Sequence, residues 1–204
     1  MDIENLKQIF RRYYLQEFEN FDFIKEDKIL NNESVKEIIK DNKKIIEKNI
    51  KVFGENSIEI FYNLNQNEKL VIIYKIFLNK NSKLNMKIKG KISGELYSYI
   101  EITHNENSES NLLEIYISRG KVIAISNVEI PENAIESNGN LSQYLLQLNN
   151  NLNVLFPILN VRNNKSKGFH SSKIIKLDKE QLFYLNSRNI KDIDKLLETS
   201  LLEI

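Results

Sequence analysis

The sequence predicts an α+β fold in which an antiparallel β-meander of about six strands is flanked by two N-terminal helices and by C-terminal helices. Two changes in the spacing of apolar residues support this. Apolar residues recur at helical spacing up to about residue 49, and they alternate with polar residues over 50–128. The spacing becomes helical again near the carboxyl end. Because no linker rich in Pro, Gly or Ser interrupts the 204 residues, we expect a single domain spanning 1–204.

Two helices are predicted before the sheet, over 3–19 and 34–49. The first has apolar residues on one side and basic residues elsewhere. The second begins at "SVKE", a sequence typical of a capping box, in which Ser34 and Glu37 would satisfy each other's backbone amides. The apolar residues of the first helix are Ile3, Leu6, Ile9, Phe10, Tyr13 and Tyr14.

The alternating region predicts the strands of the sheet. The run at 70–78 is apolar almost throughout, which indicates a central strand covered on both faces. The strands after it are separated by turn sequences such as "SGE" and "RG", and strands joined by such short links run antiparallel. We recognise no internal repeat. These further strands are predicted at 84–92, 96–103, 112–118 and 121–128.

The region 141–204 is predicted to be a mixed part of the domain that contains both helices and a strand. A short helix is predicted at 141–148, followed by a strand at 154–161 that Pro157 restricts to a sheet edge or a bulge. Two helices are then predicted, the first at 178–185 and the second along the apolar spacing of 190–201.

The composition excludes several chemistries. The chain has no cysteine, which excludes thiol nucleophiles, thiolate metal sites and disulfides. The net charge of +1 gives no overall attraction to polyanions. With only two histidines we predict no metal site, no cofactor and no enzymatic activity. A cofactor-free hydrolase or lyase is the third alternative.

We expect a cytoplasmic protein, in a bacterium or an infected host cell. The amino terminus lacks the basic start and apolar run of a signal peptide, and 70–78 is shorter than the roughly 18–20 residues of a membrane span. The abundance of Ile, Asn and Lys favours an AT-rich bacterial or phage genome.

A three-residue loop, Ser93 to Glu95, would place lysines and tyrosines on one face of a hairpin. Cations that track phosphates and rings that stack on bases are a known way of binding single strands. The same pattern is also typical of an ordinary solvated sheet face. The candidate residues of this face are Lys87, Lys89, Lys91, Tyr97 and Tyr99.

A basic segment at 162–173 is the second candidate anion-binding feature. It is predicted to be a loop, either solvated or holding a phosphate, and it matches no phosphate-loop motif. Its candidate residues are Arg162, Lys165, Lys167, His170 and Lys173. The other histidine, His104, is expected in a solvated turn, and a metal site of His104, Glu106 and Glu109 is the alternative. The cysteines that would complete a zinc-deaminase motif are missing.

The first helix offers a candidate protein-docking ridge, since aromatic residues and Arg are enriched at interface centres. Its residues are Arg11, Arg12, Tyr13, Tyr14 and Phe18. The sequence therefore predicts a non-enzymatic protein-interaction module, which would be an accessory, inhibitor or immunity-type protein of a phage or mobile element. The alternative is a protein that binds nucleic acid or a phosphate ligand through the Lys/Tyr face and the basic loop.

Overall fold

A computed structural model describes residues 22–40, 44–176 and 179–188 of the chain. Within these ranges the chain forms twelve strands and one helix. The strands are β1 (Asp22–Asn31), β2 (Ser34–Ile39), β3 (Lys44–Phe53), β4 (Glu55–Leu64), β5 (Lys69–Leu78), β6 (Lys83–Ile92), β7 (Glu95–Thr103), β8 (Glu109–Ser118), β9 (Lys121–Ile130), β10 (Asn138–Gln147), β11 (Val154–Val161) and β12 (Lys167–Lys176), and the helix is α1 (Lys179–Ser187).

The strands form two six-stranded parallel sheets. Sheet A contains the odd-numbered strands in the order β1-β3-β5-β7-β9-β11, and sheet B contains the even-numbered strands in the order β12-β10-β8-β6-β4-β2. The chain therefore changes sheet at every turn, and one odd strand with the following even strand makes one coil. The architecture is a two-sheet β-solenoid of six coils, and the predicted α+β fold with an antiparallel meander is wrong.

Successive coils stack in register. Lys69 pairs with Glu95 and Glu95 pairs with Lys121, so equivalent residues of the central coils are 26 positions apart. The same spacing joins Lys83 to Glu109 in sheet B. Because neighbouring strands are about 4.8 Å apart, residues with this spacing lie side by side along the solenoid.

The core lies between the two sheets and is built from alternate residues of each strand. In β5 these are Leu70, Ile72, Tyr74, Ile76 and Leu78, all buried. Burial of their apolar surface stabilises the fold by about 25 cal/mol per Å² of area removed from water. This burial is the main stabilising contribution to the fold.

Two glycines of the solenoid mark close approaches inside it. Gly90 faces Tyr116 across the sheet B register, and a Cβ at position 90 would lie 2.7 Å from a ring carbon of Tyr116. A Cβ at Gly139 would lie 2.7 Å from a methyl group of Val128 and 3.4 Å from the His104 ring. At both positions the absence of a side chain on glycine leaves space, and a neighbouring side chain fills that space.

The turns after odd-numbered strands form one edge of the solenoid, which we call the serine edge. A serine stands directly before each of four even-numbered strands, at Ser82, Ser108, Ser137 and Ser166. Ser82 donates to the backbone oxygen of Asn79 at 2.6 Å, and Ser108 repeats this bond with Asn105 at 2.7 Å. These hydroxyls satisfy half-buried backbone acceptors in the turns.

The turns after even-numbered strands form the opposite edge, the glycine edge. Two of its turns contain only two residues, Ser93-Gly94 and Arg119-Gly120. A Cβ at Gly120 would lie 1.8 Å from the Gly94 backbone oxygen, and a Cβ at Gly94 would lie 2.1 Å from the Glu68 oxygen. Glycine is required at both positions because the turns of successive coils lie directly on one another.

The predicted helix at 34–49 is replaced by β2 and β3. Val35 and Ile39 of β2 are aligned with Ile58 and Tyr62 of β4, and they face the interior. The segment is rich in β-branched residues, which fit a pleated sheet better than a helix. The capping box does not form, because Ser34 and Glu37 lie in strand β2, where the Glu37 carboxylate pairs with Lys48.

Three further expectations after residue 49 are corrected. The region 50–128 is parallel throughout, since β6 pairs with β4 and β8 rather than with β7. The predicted helix at 141–148 is strand β10, whose alternate residues Leu141, Gln143 and Leu145 are buried. Most of the predicted loop at 162–173 belongs to β12.

Other expectations for single elements are confirmed. The strand at 70–78 is β5, near the middle of sheet A, and Val71 on its outer face is also buried. The strand containing Pro157 is β11, at the end of the strand order of sheet A. The helix expected at 178–185 is α1. The helix predicted at 3–19 and the last one, at 190–201, lie outside the described residues.

Candidate docking surface and polar interior

The predicted face of lysines and tyrosines does not exist as one surface. Lys87, Lys89 and Lys91 point outward from β6, which lies in sheet B. Tyr97 and Tyr99 point outward from β7, which lies in sheet A on the other side of the solenoid. The prediction joined them because it paired β6 with β7 as a hairpin.

One of the three lysines of β6, Lys89, is paired with a carboxylate on the outer face of sheet B. Lys89 Nζ is 3.3 Å from a Glu59 carboxylate oxygen, and Lys36 Nζ is 3.1 Å from the other oxygen. Hydrogen bonding from Lys36 is the largest cause that lowers the pKa of Glu59, so Glu59 stays charged between the two lysines. Burial, and then the charge of Lys89, lower the pKa of Lys87.

The tyrosines are buried in an apolar cluster on the outer face of sheet A. Tyr97 is 0% exposed and Tyr99 is 7% exposed, so neither ring offers a free face to a base. The Tyr97 hydroxyl donates to Glu95 at 2.6 Å and accepts from Lys121 Nζ at 3.1 Å. We call this cluster the outer stripe, and its buried members are Ile45, Val71, Tyr97, Tyr99 and Ile125.

The basic candidates at 162–173 are spread over a turn and two faces of β12. Arg162, in the turn, forms an ion pair with Glu129 at 2.7 Å. Lys167 and Lys173 point outward from β12, whereas His170 stands opposite Leu141 in the row that faces the interior. Lys165 is exposed in the turn. The segment is therefore an edge strand with scattered charges and not a mobile phosphate loop.

The candidate docking residues Arg11, Arg12, Tyr13, Tyr14 and Phe18 lie outside the described residues, and their role stays a prediction.

A fully buried carboxyl group lies in the middle of the solenoid. Glu114 accepts hydrogen bonds from Tyr116 at 2.6 Å, from Gln143 at 2.9 Å and from Ser126. Burial raises the pKa of Glu114, while these three donors favour the charged form. These three donors satisfy the hydrogen-bonding needs of a carboxyl group inside an apolar core. The carboxyl group is therefore surrounded by its hydrogen-bond partners.

His104 is buried at the serine edge and is not in a solvated turn as expected. Its ring nitrogens lie 2.8 Å from the Ser108 hydroxyl and 2.7 Å from the Ser110 hydroxyl. Burial lowers the pKa of His104 to about 4. The ring is thus a neutral, hydrogen-bonded part of the core near neutral pH.

A third polar group lies at the N-terminal mouth of the interior. Lys48 is nearly buried, with Nζ 3.2 Å from Glu26 and in contact with Glu37. These residues, together with Tyr74, line part of a cleft of about 280 Å³. The charge of this nearly buried lysine is compensated by the two carboxylates beside it.

Within the described ranges, no three His, Asp or Glu side chains are grouped so that they could hold a metal ion. The whole sequence contains no cysteine, so it provides no thiolate ligand for a metal centre. Among the same residues, no helix is long and apolar enough to cross a membrane.

The last coil, β11 with β12, presents an exposed apolar edge. All residues of β12 are exposed except Ser171 and Ile175, which are half-buried. Phe169 is 60% exposed and Ile174 is 43% exposed, and Phe156 and Val161 of β11 are also exposed. Among the described strands, β12 pairs only with β10. An apolar sheet edge of this kind is a typical site for pairing with another chain.

The fold and this edge define a parallel two-sheet β-solenoid with an exposed terminal coil. The sequence model of the family described as SUF system FeS cluster assembly, SufBD core domain, matches residues 93–194, which is half of the chain. The chain belongs to the SufBD core family. No curated protein sequence matches it.

Proteins with a SufBD domain work in complexes with other Suf proteins, which agrees with the expected protein partner. The family gives no support for a nucleic-acid partner or for an immunity-type protein of a phage. The matched residues begin just before β7 and include the last coil.

Sequence reasoning missed the solenoid and its terminal edge, although one signal was available. The sequence N-x-N-S occurs at 79–82 and again at 105–108, with the spacing of one coil. Related sequences that keep the serine precede β10 and β12. A fixed period in the 20–50 residue range is typical of solenoids.

Proposed function

We propose that this chain is a non-enzymatic, protein-binding subunit of iron–sulfur cluster assembly, and that it binds another Suf protein through its last coil. Two exposed apolar residues of the last coil carry the proposal: Phe169 on the outer face of β12, and Ile174 in the row that continues the interior, both inside the family match. The proposed location is the cytoplasm, where Suf assembly takes place in bacteria.

The chemistry of the side chains supports a binding role without catalysis. The buried carboxyl group of Glu114 and the buried ring of His104 are occupied by hydrogen bonds inside the core. Since the chain has no cysteine, we propose that a cluster in transit is held by the thiolates of a partner and not by this subunit.

An apolar edge strand can bind a partner by extending a sheet. The partner's strand would satisfy the backbone groups along β12, and the exposed Phe169 ring would add apolar area. Binding of this kind depends on buried apolar surface and complementary shape, and it depends less on salt than phosphate binding does.

The test is a binding measurement between the purified chain and the Suf proteins of its own host. We expect Ile174→Glu and Phe169→Glu each to weaken binding at least tenfold, because a charge in an apolar interface is desolvated without a partner. Ile29→Glu is the matched control, since Ile29 is 64% exposed on β1 at the other end of the solenoid. It should leave affinity unchanged.

Three results would contradict the proposal: no binding to any Suf protein, equal binding by all variants, or a loss confined to Ile29→Glu. Repeating the assay with a labelled oligonucleotide at low salt tests the alternative that the chain binds nucleic acid. We expect no binding of the oligonucleotide.

A further inference from the structure

Charge is distributed over the solenoid coil by coil. The third coil, β5 with β6 over 69–92, contains seven lysines and no Asp or Glu. The fourth coil, β7 with β8 over 95–118, contains five glutamates and no Lys or Arg. The two coils stack directly on each other, since β5 pairs with β7 and β6 pairs with β8. A cationic coil therefore has an acidic coil as its neighbour.

Ion pairs join these two coils where they meet. Lys69 Nζ lies 2.9 Å from a Glu95 carboxylate oxygen, and Lys80 Nζ lies 2.7 Å from Glu106. Exposed pairs of this kind add little stability, but opposite charges in contact favour one arrangement of the coils over others. In this fold the charges of one coil are thus compensated by side chains of the coil stacked on it.

The last coil, β11 with β12 over 154–176, is cationic as well. It contains four lysines and one arginine and no Asp or Glu. Its two strands are the final strands of sheet A and sheet B, so among the described strands it has a stacked neighbour on one side. On that side Arg162 pairs with Glu129 at 2.7 Å.

Two exposed lysines on the outer face of β12 stand beside uncharged residues of β10. Lys167 is in register with Asn138, and Lys173 is in register with Tyr144. Phe169, which is 60% exposed, lies between the two lysines on the same face. The edge strand therefore presents a cation, an aromatic ring and a second cation over about 20 Å.

We propose that the partner of the last coil is an acidic strand, with carboxylates opposite Lys167 and Lys173 and an apolar side chain opposite Phe169. This inference rests on the proposed function and specifies the chemistry of the partner. The strand would stack on the last coil as the fourth coil stacks on the third, with opposite charges in contact. Buried apolar area would supply most of the affinity, and the charges would select the partner and speed its association.

The charges of the chain disfavour a second copy as the occupant. A symmetric, antiparallel pair of β12 strands would set Lys167 of one copy against Lys173 of the other. The opposite edge of sheet B is β2, whose outer face carries Lys36 between Ser34 and Ile38 and so offers β12 no carboxylate. Nucleic acid fits less well, because its affinity depends on neutralising successive phosphates and the apolar side chains of the edge separate the lysines.

Two synthetic strand peptides test the inference on the full chain. One has the pattern Glu-x-Val-x-Val-x-Glu and the other Lys-x-Val-x-Val-x-Lys, so either strand direction places a valine opposite Phe169. We expect the parent chain to bind the acidic peptide at least tenfold more tightly at low salt. The difference should shrink as added salt screens the charges.

Charge reversal on the protein provides the matched control. The double variant Lys167→Glu, Lys173→Glu should bind the acidic peptide at least tenfold more weakly than the parent chain and should prefer the lysine peptide. Lys25→Glu with Lys28→Glu makes the same change in net charge on exposed residues of β1, at the other end of the solenoid. This control should leave both affinities unchanged.

Several results overturn the inference. They are equal affinity for the two peptides, no binding of the acidic peptide, binding of a labelled oligonucleotide in its place, and an equal loss in the β1 control. A dimer of the parent chain that Phe169→Glu dissociates would identify a second copy as the occupant, and it would overturn the inference too. Because the peptide preference is measured on the parent chain, it does not depend on the folding of a variant.

The same variants in the assay with the host's Suf proteins separate this inference from the proposed function. If a Suf protein binds and Phe169→Glu weakens it but reversal of Lys167 and Lys173 does not, the acidic partner is rejected and the proposed function stands. If no Suf protein binds while the peptide preference follows the two lysines, the proposed function is rejected and the preference of this edge for an acidic strand stands.

Discussion

The two edges of the solenoid perform the same task in different ways. Each edge carries the chain from one sheet to the other. At the serine edge the four turns that contain the serines of this edge are long enough for side chains to bridge successive coils, as when the Ser108 amide donates to the Ser137 hydroxyl at 3.1 Å. At the glycine edge the two-residue turns stack backbone on backbone, and the Lys121 amide donates to the Gly94 oxygen at 2.8 Å.

The difference predicts unequal tolerance to substitution. A side-chain bridge can be lost at the cost of its hydrogen bonds, and water can replace part of it. A backbone contact cannot accept an added atom without moving a whole turn. Substitutions at the glycine edge should therefore be poorly tolerated. Substitutions of the serines at the serine edge should each lower the stability by a smaller amount.

The largest effect is expected from Gly120→Ala. The new Cβ would stand 1.8 Å from the Gly94 oxygen, so adjacent coils must separate. We expect the free energy of unfolding to fall by more than about 3 kcal/mol, which is large for one methyl group. Denaturant unfolding measures it. Arg119→Ala, the exposed neighbour in the same turn, is the control, and an equal loss in both variants would show that stacking is not the cause.

A second expected effect is a pH dependence that originates at the serine edge. The His104 pKa is about 4 in the folded chain and about 6.5 when unfolded, so between these values the unfolded state binds more protons. The stability contribution is complete above pH 6.5 and is lost as the pH falls towards 4, by about 3 kcal/mol in total.

Comparison with His104→Gln isolates this contribution from that of the carboxylates. Unfolding curves measured from pH 7 to pH 4 should fall less steeply for the variant. Parallel curves for the two proteins would refute the assignment, and titration of the His104 ring by NMR gives the pKa directly.

The smallest effect is expected from Ser137→Ala. Its hydroxyl donates to the Asn105 backbone oxygen at 2.8 Å and accepts from the Ser108 amide, so two bonds between coils disappear. We expect a loss of about 1–2 kcal/mol. Ser57→Ala on the exposed face of β4 serves as the control and should change stability by less than about 0.5 kcal/mol. A larger loss in Ser137→Ala than in Gly120→Ala would reverse the ranking of the two edges.

The two edges also explain the error in the predicted topology. "SG" and "RG" are typical hairpin turns, and a hairpin would place Ile92 opposite Leu96 in one sheet. In the solenoid those residues face the same core from different sheets. The alternation of buried and exposed residues is the same in both arrangements, so the period of two does not distinguish them.

For β6 and β7, the sequence by itself determined which side chains point into the core and which point away from it, because alternation follows from the geometry of a single extended chain. It placed β5 at a covered position, β11 near an edge, and Lys87, Lys89 and Lys91 in solvent-facing positions.

Tertiary structure alone decided which strands are neighbours. Hydrogen-bonded partners in this fold are about 26 residues apart, and their pairing depends on the stacking of whole coils rather than on local turn chemistry. For the same reason only the assembled coils show that Tyr97 is buried on sheet A, that His104 lies in the core, and that Phe169 and Ile174 belong to an exposed terminal edge.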